Sequence, residues 1–145
     1  MEKKSLKKVT LYCDGSSLGN PGAGGYGGIL EYKGERKLFS GGARDVTNNQ
    51  MELKAVIEGL KLLKEPCAVE VVTDSRYVAD GINSWLKNWV KKEFRGVKNT
   101  NLWREFLELS KVHQVVAKWV RGHNGHKENE LCDEMARREA LKYKK

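Results

Sequence analysis

From Val9 to Asp14 the chain alternates Val9, Leu11 and Cys13 with Thr10, Tyr12 and Asp14 before Gly15 and Ser16 break the pattern, which predicts a strand ending at Asp14. Gly19 to Gly28 reads as a glycine-rich connection, followed by two short strands, Ile29 to Tyr32 and Lys37 to Ser40, joined across Lys33-Gly34. The period then changes. Between Asn49 and Lys64, Leu53, Val56, Ile57, Leu60 and Leu63 recur at helical spacing, with Lys54, Glu58 and Lys61 on the opposite side. Ala68 to Thr73 is a near-continuous β-branched run suited to a parallel strand covered on both faces. Helical spacing returns through Val78, Ile82, Trp85 and Trp89, and again from Leu102 to Val112. Gln114 to Val120 predicts a fifth strand, Arg121 to Lys127 a polar loop, and Glu128 to about Lys142 a last helix.

The order βββαβααβα implies an α/β fold: three antiparallel strands, then two parallel ones, in one mixed sheet with helices on both faces. No repeat or linker divides the chain, so 1–145 is expected to be a single domain, near the ~150-residue norm. The absence of any long apolar run or signal-like core, together with three widely spaced cysteines lacking a paired motif, predicts a cytoplasmic protein with reduced thiols and no membrane partner. The balance of 27 Lys+Arg against 19 Asp+Glu, a formal +8, favours a polyanionic partner. Without heptads or long exposed apolar stripes, a monomer is expected.

Four carboxylates stand out. Asp14 and Asp74 each end a predicted strand, where ligands gather in open α/β sheets. At 100° per residue, Glu52 falls within about 40° of Val56, Gly59 and Leu63, on the buried stripe of its helix, a costly place for an unpartnered carboxylate. Asp133 shares a helical face with Asn129, Ala136 and Ala140, small residues that permit close approach. Each has a plain alternative as a helix cap or dipole partner. Should they converge, their repulsion demands protons or a divalent cation, and an all-oxygen set suits a hard ion such as Mg²⁺, with Mn²⁺ an alternative.

Two further segments carry chemistry. Trp85, Lys87, Trp89, Lys91, Lys92, Arg95 and Lys98 interleave aromatics and cations, five cations against the single acid Glu93 over residues 87–98, giving +4. The tryptophans can be core, or can stack on a sugar or base while the cations steer a phosphate backbone. His123 and His126 lie in a glycine-flanked loop near Asp133, better suited to proton transfer than to zinc. Gly22 to Gly27 formally fits a dinucleotide fingerprint but leads into a strand, against that reading.

Taken together, Cys13-Asp14-Gly15-Ser16 with Gly19-Asn20-Pro21-Gly22, Thr47-Asn48-Asn49-Gln50-Met51-Glu52-Leu53, Thr73-Asp74-Ser75, and Gly122-His123 with Glu128-Asn129-Glu130-Leu131-Cys132-Asp133 resemble type 1 ribonucleases H from about Lys7 to Lys142. The resemblance implies the ribonuclease H fold and endonucleolytic cleavage of the RNA strand of RNA/DNA hybrids to 3′-hydroxyl and 5′-phosphate ends. It assigns Asp14, Glu52, Asp74 and Asp133 to two Mg²⁺ ions, with Asp14 bridging, Glu52 and Asp74 holding one ion and Asp133 the other. It makes His123 a mobile histidine for proton transfer or product release. It places Asn20, Asn48 and Asn49 in the minor groove, Thr47 and Asn99 on a phosphate of the DNA strand, and residues 85–99 as a basic handle in which Trp85, Trp89, Lys91, Lys92 and Lys98 meet that strand. Cys13 stands where Thr is common, Asp45 where some bacterial members carry Arg, and Arg76 where a Gln contacts substrate; the handle is also about five residues shorter than in some members. A recombinase- or integrase-like core and a non-catalytic hybrid-binding module are the rival readings; the Asn-rich motif and the fourth carboxylate favour the nuclease.

Overall fold

The computed structural model describes residues 6–122 and 126–144. Three strands open the chain, β1 (Lys7–Ser17), β2 (Gly22–Tyr32) and β3 (Glu35–Val46), and α1 (Asn48–Lys61) follows. Next come β4 (Cys67–Thr73), α2 (Arg76–Asp80), a π-helical turn over Gly81–Trp85, α3 (Leu86–Lys91), α4 (Thr100–Ser110), β5 (Gln114–Trp119) and α5 (Lys127–Lys142). The sheet order is β3-β2-β1-β4-β5, antiparallel from β3 to β1 and parallel from β1 to β5. This is the expected mixed sheet.

Helices cover both faces. α1 and α4 close one side over a core of Leu11, Leu53, Val56, Ile57, Leu60, Val69, Val71, Trp103 and Phe106, all almost fully buried. That is the stripe read from the helical spacing. α5 packs on the other side, against β1, β2 and β3.

The glycine-rich segment differs from expectation. Instead of a connection it is largely β2, which begins at Gly22. A Cβ at Gly25 would collide with the backbone of Ala136 and Ala140, and one at Gly27 with the carbonyl of Cys132 and with Met135, so α5 rests directly on bare strand. Pairing with that longer β2, from Tyr32↔Glu35 to Gly22↔Val46, likewise extends β3 well beyond Lys37 to Ser40. α1 starts one residue early, because Thr47 and Gln50 form a capping box, and ends at Lys61 instead of Lys64. The predicted helix through Trp89 is broken by the π turn, where Gly81 lies against the Trp103 ring.

Candidate active site

Parallel pairing of β1 with β4 runs from Lys7↔Cys67 to Tyr12↔Val72, so Asp14, two residues on, and Asp74, immediately after β4, finish at the same edge of the sheet. Glu52 reaches them from the first turn of α1. Gly15 makes that approach possible: a Cβ there would overlap the backbone of Met51 and Glu52. Carboxylate oxygens of Asp14, Glu52 and Asp74 all lie within 4.8 Å of one another. Asp133, on α5, stands outside this tight trio but lines the same cleft, with Asp14, Asp74, Arg121, Gly122, His126, Asn129 and Glu130. Its Oδ2 is 3.1 Å from the Arg137 guanidinium one turn along.

The trio is electrostatically loaded. Burial, then the neighbouring Asp74 charge, pushes the Asp14 carboxyl up to about 8; the Gly15 N–H, donating to Oδ1 at 2.9 Å, opposes the rise, and Glu52 and Asp133 add to it. Burial also raises Glu52 to about 7, with a hydrogen bond from the Ser75 side chain pulling down and Asp74 pushing up. At neutral pH these groups therefore hold protons unless a cation replaces them. The donor set fits a hard divalent ion: three oxygen ligands, while burial keeps the nearby Cys13 and Cys132 thiols protonated.

A sequence profile of the RNase H family matches residues 6–141. The chain belongs to the RNase H family. It is 61% identical over 144 residues to a ribonuclease H of Sulfurovum sp. (strain NBC37-1), covering 99% of this chain and 98% of the relative. It is 56% identical over 137 residues to ribonuclease HI of Helicobacter pylori (strain ATCC 700392 / 26695), covering 94% and 96%. Among solved structures, LC9-RNase H1, a type 1 RNase H with the type 2 active-site motif, superposes with a TM-score of 0.87 at 31% identity over 98% of this chain and 76% of that one. The LC11-RNase H1 complex with an RNA/DNA hybrid shares the fold at 22% identity and a TM-score of 0.66, over 92% and 97%.

Around the carboxylates, this RNase H joins several of the residues singled out in the sequence. Asn20 Oδ1 accepts from the Asn48 N–H at 3.1 Å, bringing two of the three asparagines together, while Asn49 is exposed beside them. Gln50 does more than cap α1. Its Oε1 accepts from the Thr47 N–H, and its Nε2 donates to Asn99 Oδ1 at 3.1 Å. Asn99 Nδ2 in turn donates to the Tyr77 hydroxyl, which also accepts from buried Trp103 Nε1 at 2.8 Å. Thr47 and Asn99, distant in sequence, are thus tied to each other and to the core. Gln50 and Tyr77 were not among the predicted site residues; the T-x-x-Q spacing is a local sign of a capping box, but nothing local marks the bridge to Asn99.

Arg76 stacks on the Trp119 ring at 4.4 Å, and Trp119 Nε1 donates to the Asp74 backbone carbonyl at 3.0 Å, which ties Arg76 through Trp119 to the end of β4. Trp119 was missed because its spacing reads only as strand. In the handle, Trp89 follows the core reading of the tryptophans, while Trp85 stays at the surface. Trp89 packs on buried Trp103 with centroids 5.0 Å apart, Trp85 on Trp89 at 5.8 Å, and Trp85 ends the stack exposed. Lys91, Lys92 and Lys98 are exposed around a tight loop in which Glu93 and Phe94 take left-handed backbone, anchored by the buried Phe94 ring. His123 lies outside the described residues; His126 lines the cleft.

Proposed function

We propose that this RNase H is a divalent-metal-dependent endonuclease that hydrolyses the RNA strand of RNA/DNA hybrids. The observation that carries the reading is the trio itself: three carboxylates whose oxygens lie within 4.8 Å of one another, two of them with raised pKa values, form an all-oxygen site whose ionised state a cation would stabilise. Asp14 with Glu52 and Asp74 would hold one Mg²⁺ ion, and Asp14 with Asp133 a second; Mn²⁺ has the same donor preference. Bound as a pair, such ions supply acidity to the attacking water and positive charge to the departing oxygen. The water oxygen forms a bond to phosphorus as the bond to the 3′-oxygen breaks. That oxygen takes a proton, leaving a 3′-hydroxyl and a 5′-phosphate. His123 is assigned the proton transfer, because an imidazole can both accept and donate a proton.

Binding divides by strand. Asn20, Asn48 and Asn49 offer amides to 2′-hydroxyls and base edges, the feature by which a protein distinguishes RNA from DNA. Thr47 and Asn99 hold a phosphate of the DNA strand, pre-set by the Gln50 bridge. Arg76, Trp85, Trp89, Lys91, Lys92 and Lys98 add charge and stacking along the backbone. The enzyme works in this reading as a cytoplasmic monomer; among the described residues no helix is long and apolar enough to cross a membrane.

The test is a panel of end-labelled RNA/DNA hybrid, single-stranded RNA, duplex RNA and duplex DNA, with Mg²⁺ or EDTA. Cleavage confined to RNA in the hybrid, lost with EDTA, is expected. Cutting of duplex DNA, or hydrolysis untouched by the chelator, would overturn the reading.

A further inference from the structure

Asn129, on the first turn of α5, carries a buried carbonyl oxygen, Oδ1, that accepts no hydrogen bond among the described residues. Its other end is committed: Nδ2 donates to the Val72 carbonyl at 3.1 Å. A carbonyl can only accept, so the amide orientation follows from that bond. An orphaned acceptor in a protein interior is destabilising and calls for an explanation. Here one is at hand. Asn129 lines the cleft shared by Asp14, Asp74 and Asp133, whose free space is about 10 Å³, the room of roughly one water.

We propose that Asn129 is a positioning residue for the metal site: Nδ2 clamps α5 to the end of β4, and Oδ1 accepts a hydrogen bond from a water held in the cleft on the Asp133 side. The clamp is well placed for this. Val72 lies two residues before Asp74, and Asp133 lies four residues after Asn129 on the same helical face, so the amide directly links the two elements that carry these carboxylates. Asp133 stands apart from the tight trio but lines the same cleft as Asn129. Groups that orient metal ligands from behind are commonly worth 10–100-fold in metal affinity.

The inference rests on the metal-dependent reading above, and the experiment separates the two. Metal-free wild type, Asn129→Ala, Asp133→Asn and the double variant are titrated with Mg²⁺ by calorimetry, and their melting temperatures are taken with and without Mg²⁺. Wild type that binds no Mg²⁺ overturns the metal reading itself. With wild-type binding in hand, Asn129→Ala is expected to weaken Mg²⁺ affinity about tenfold and shrink the Mg²⁺-induced rise in melting temperature. In the Asp133→Asn background it is expected to change affinity little, because the two residues act as one unit. Affinity equal to wild type with only a lower metal-free melting temperature would reduce Asn129 to a packing role and overturn the proposal, as would two losses that simply add. Should the alanine chain not fold, Asn129→Ser takes its place in the same cycle, with the same outcomes.

Discussion

β1 and β4 run side by side, and their two ends are built on opposite principles. At the starting end polar groups are matched: Lys7 pairs with Glu65, the Cys67 N–H donates to His113 Nδ1 at 3.0 Å, and the Cys67 thiol donates to the Glu65 carbonyl. At the finishing end three carboxylates crowd within 4.8 Å, and the carbonyl oxygen of Asn129 accepts no hydrogen bond among the described residues. Both ends belong to the same pair of strands. The difference teaches that the finishing end gives up stability of the isolated chain by crowding carboxylates, as the proposed cation site requires, whereas the starting end only holds the sheet together.

The two ends therefore respond oppositely to pH. Asp14 and Glu52 have folded-state values raised to about 8 and about 7, so the metal-free fold keeps their contribution below about pH 4 and loses it as pH climbs through that range. Burial lowers His113, so its contribution is present above about pH 6.5 and fades as pH falls below it.

The largest break in this comparison should come from Asp14→Asn. Hybrid cleavage should fall by about 10³-fold or more, while the metal-free variant at pH 8 should melt above wild type, because a buried like charge has gone. Next is Gly15→Ala, which forces the start of α1 away from β1; single-turnover rates should drop about 100-fold, with a stability loss of about 1–3 kcal/mol seen in urea unfolding. Third, the melting temperature of metal-free wild type should decline by several degrees between pH 5 and pH 8, and saturating Mg²⁺ should remove the decline. At the starting end, His113→Asn should cost about 1–3 kcal/mol at pH 8 and flatten the loss of stability below pH 6.5, with no change in Mg²⁺ affinity. The smallest effect is at Gln50→Ala, where losing the bridge between Thr47 and Asn99 should raise KM roughly fivefold with kcat kept, about 1 kcal/mol.

How far the sequence discloses these features depends on the range of the interaction. Glu52 was legible as a candidate because helical period alone puts it on the buried stripe, and Asp74 because it directly follows a strand; Asp14, expected to end its strand, lies three residues inside β1, which runs on to Ser17 in its pairing with β2. Gly25 and Gly27 were misread as part of a connection because the reason for their missing side chains is α5, more than 100 residues further along. The same holds for Gln50, whose cap is local but whose partner Asn99 is 49 residues away. The orphaned oxygen of Asn129 had no local sign at all, since it exists only once α5 has docked on β4.

The most direct test of the central claim follows the metal-free protein at pH 8 by thermal unfolding as Mg²⁺ is added, alongside Asp14→Asn. The account predicts that wild type gains several degrees, saturating with Mg²⁺, and that Asp14→Asn starts higher and gains little. Equal starting points and equal gains in both proteins would contradict it, because the carboxylate end would then be neither strained without metal nor relieved by it.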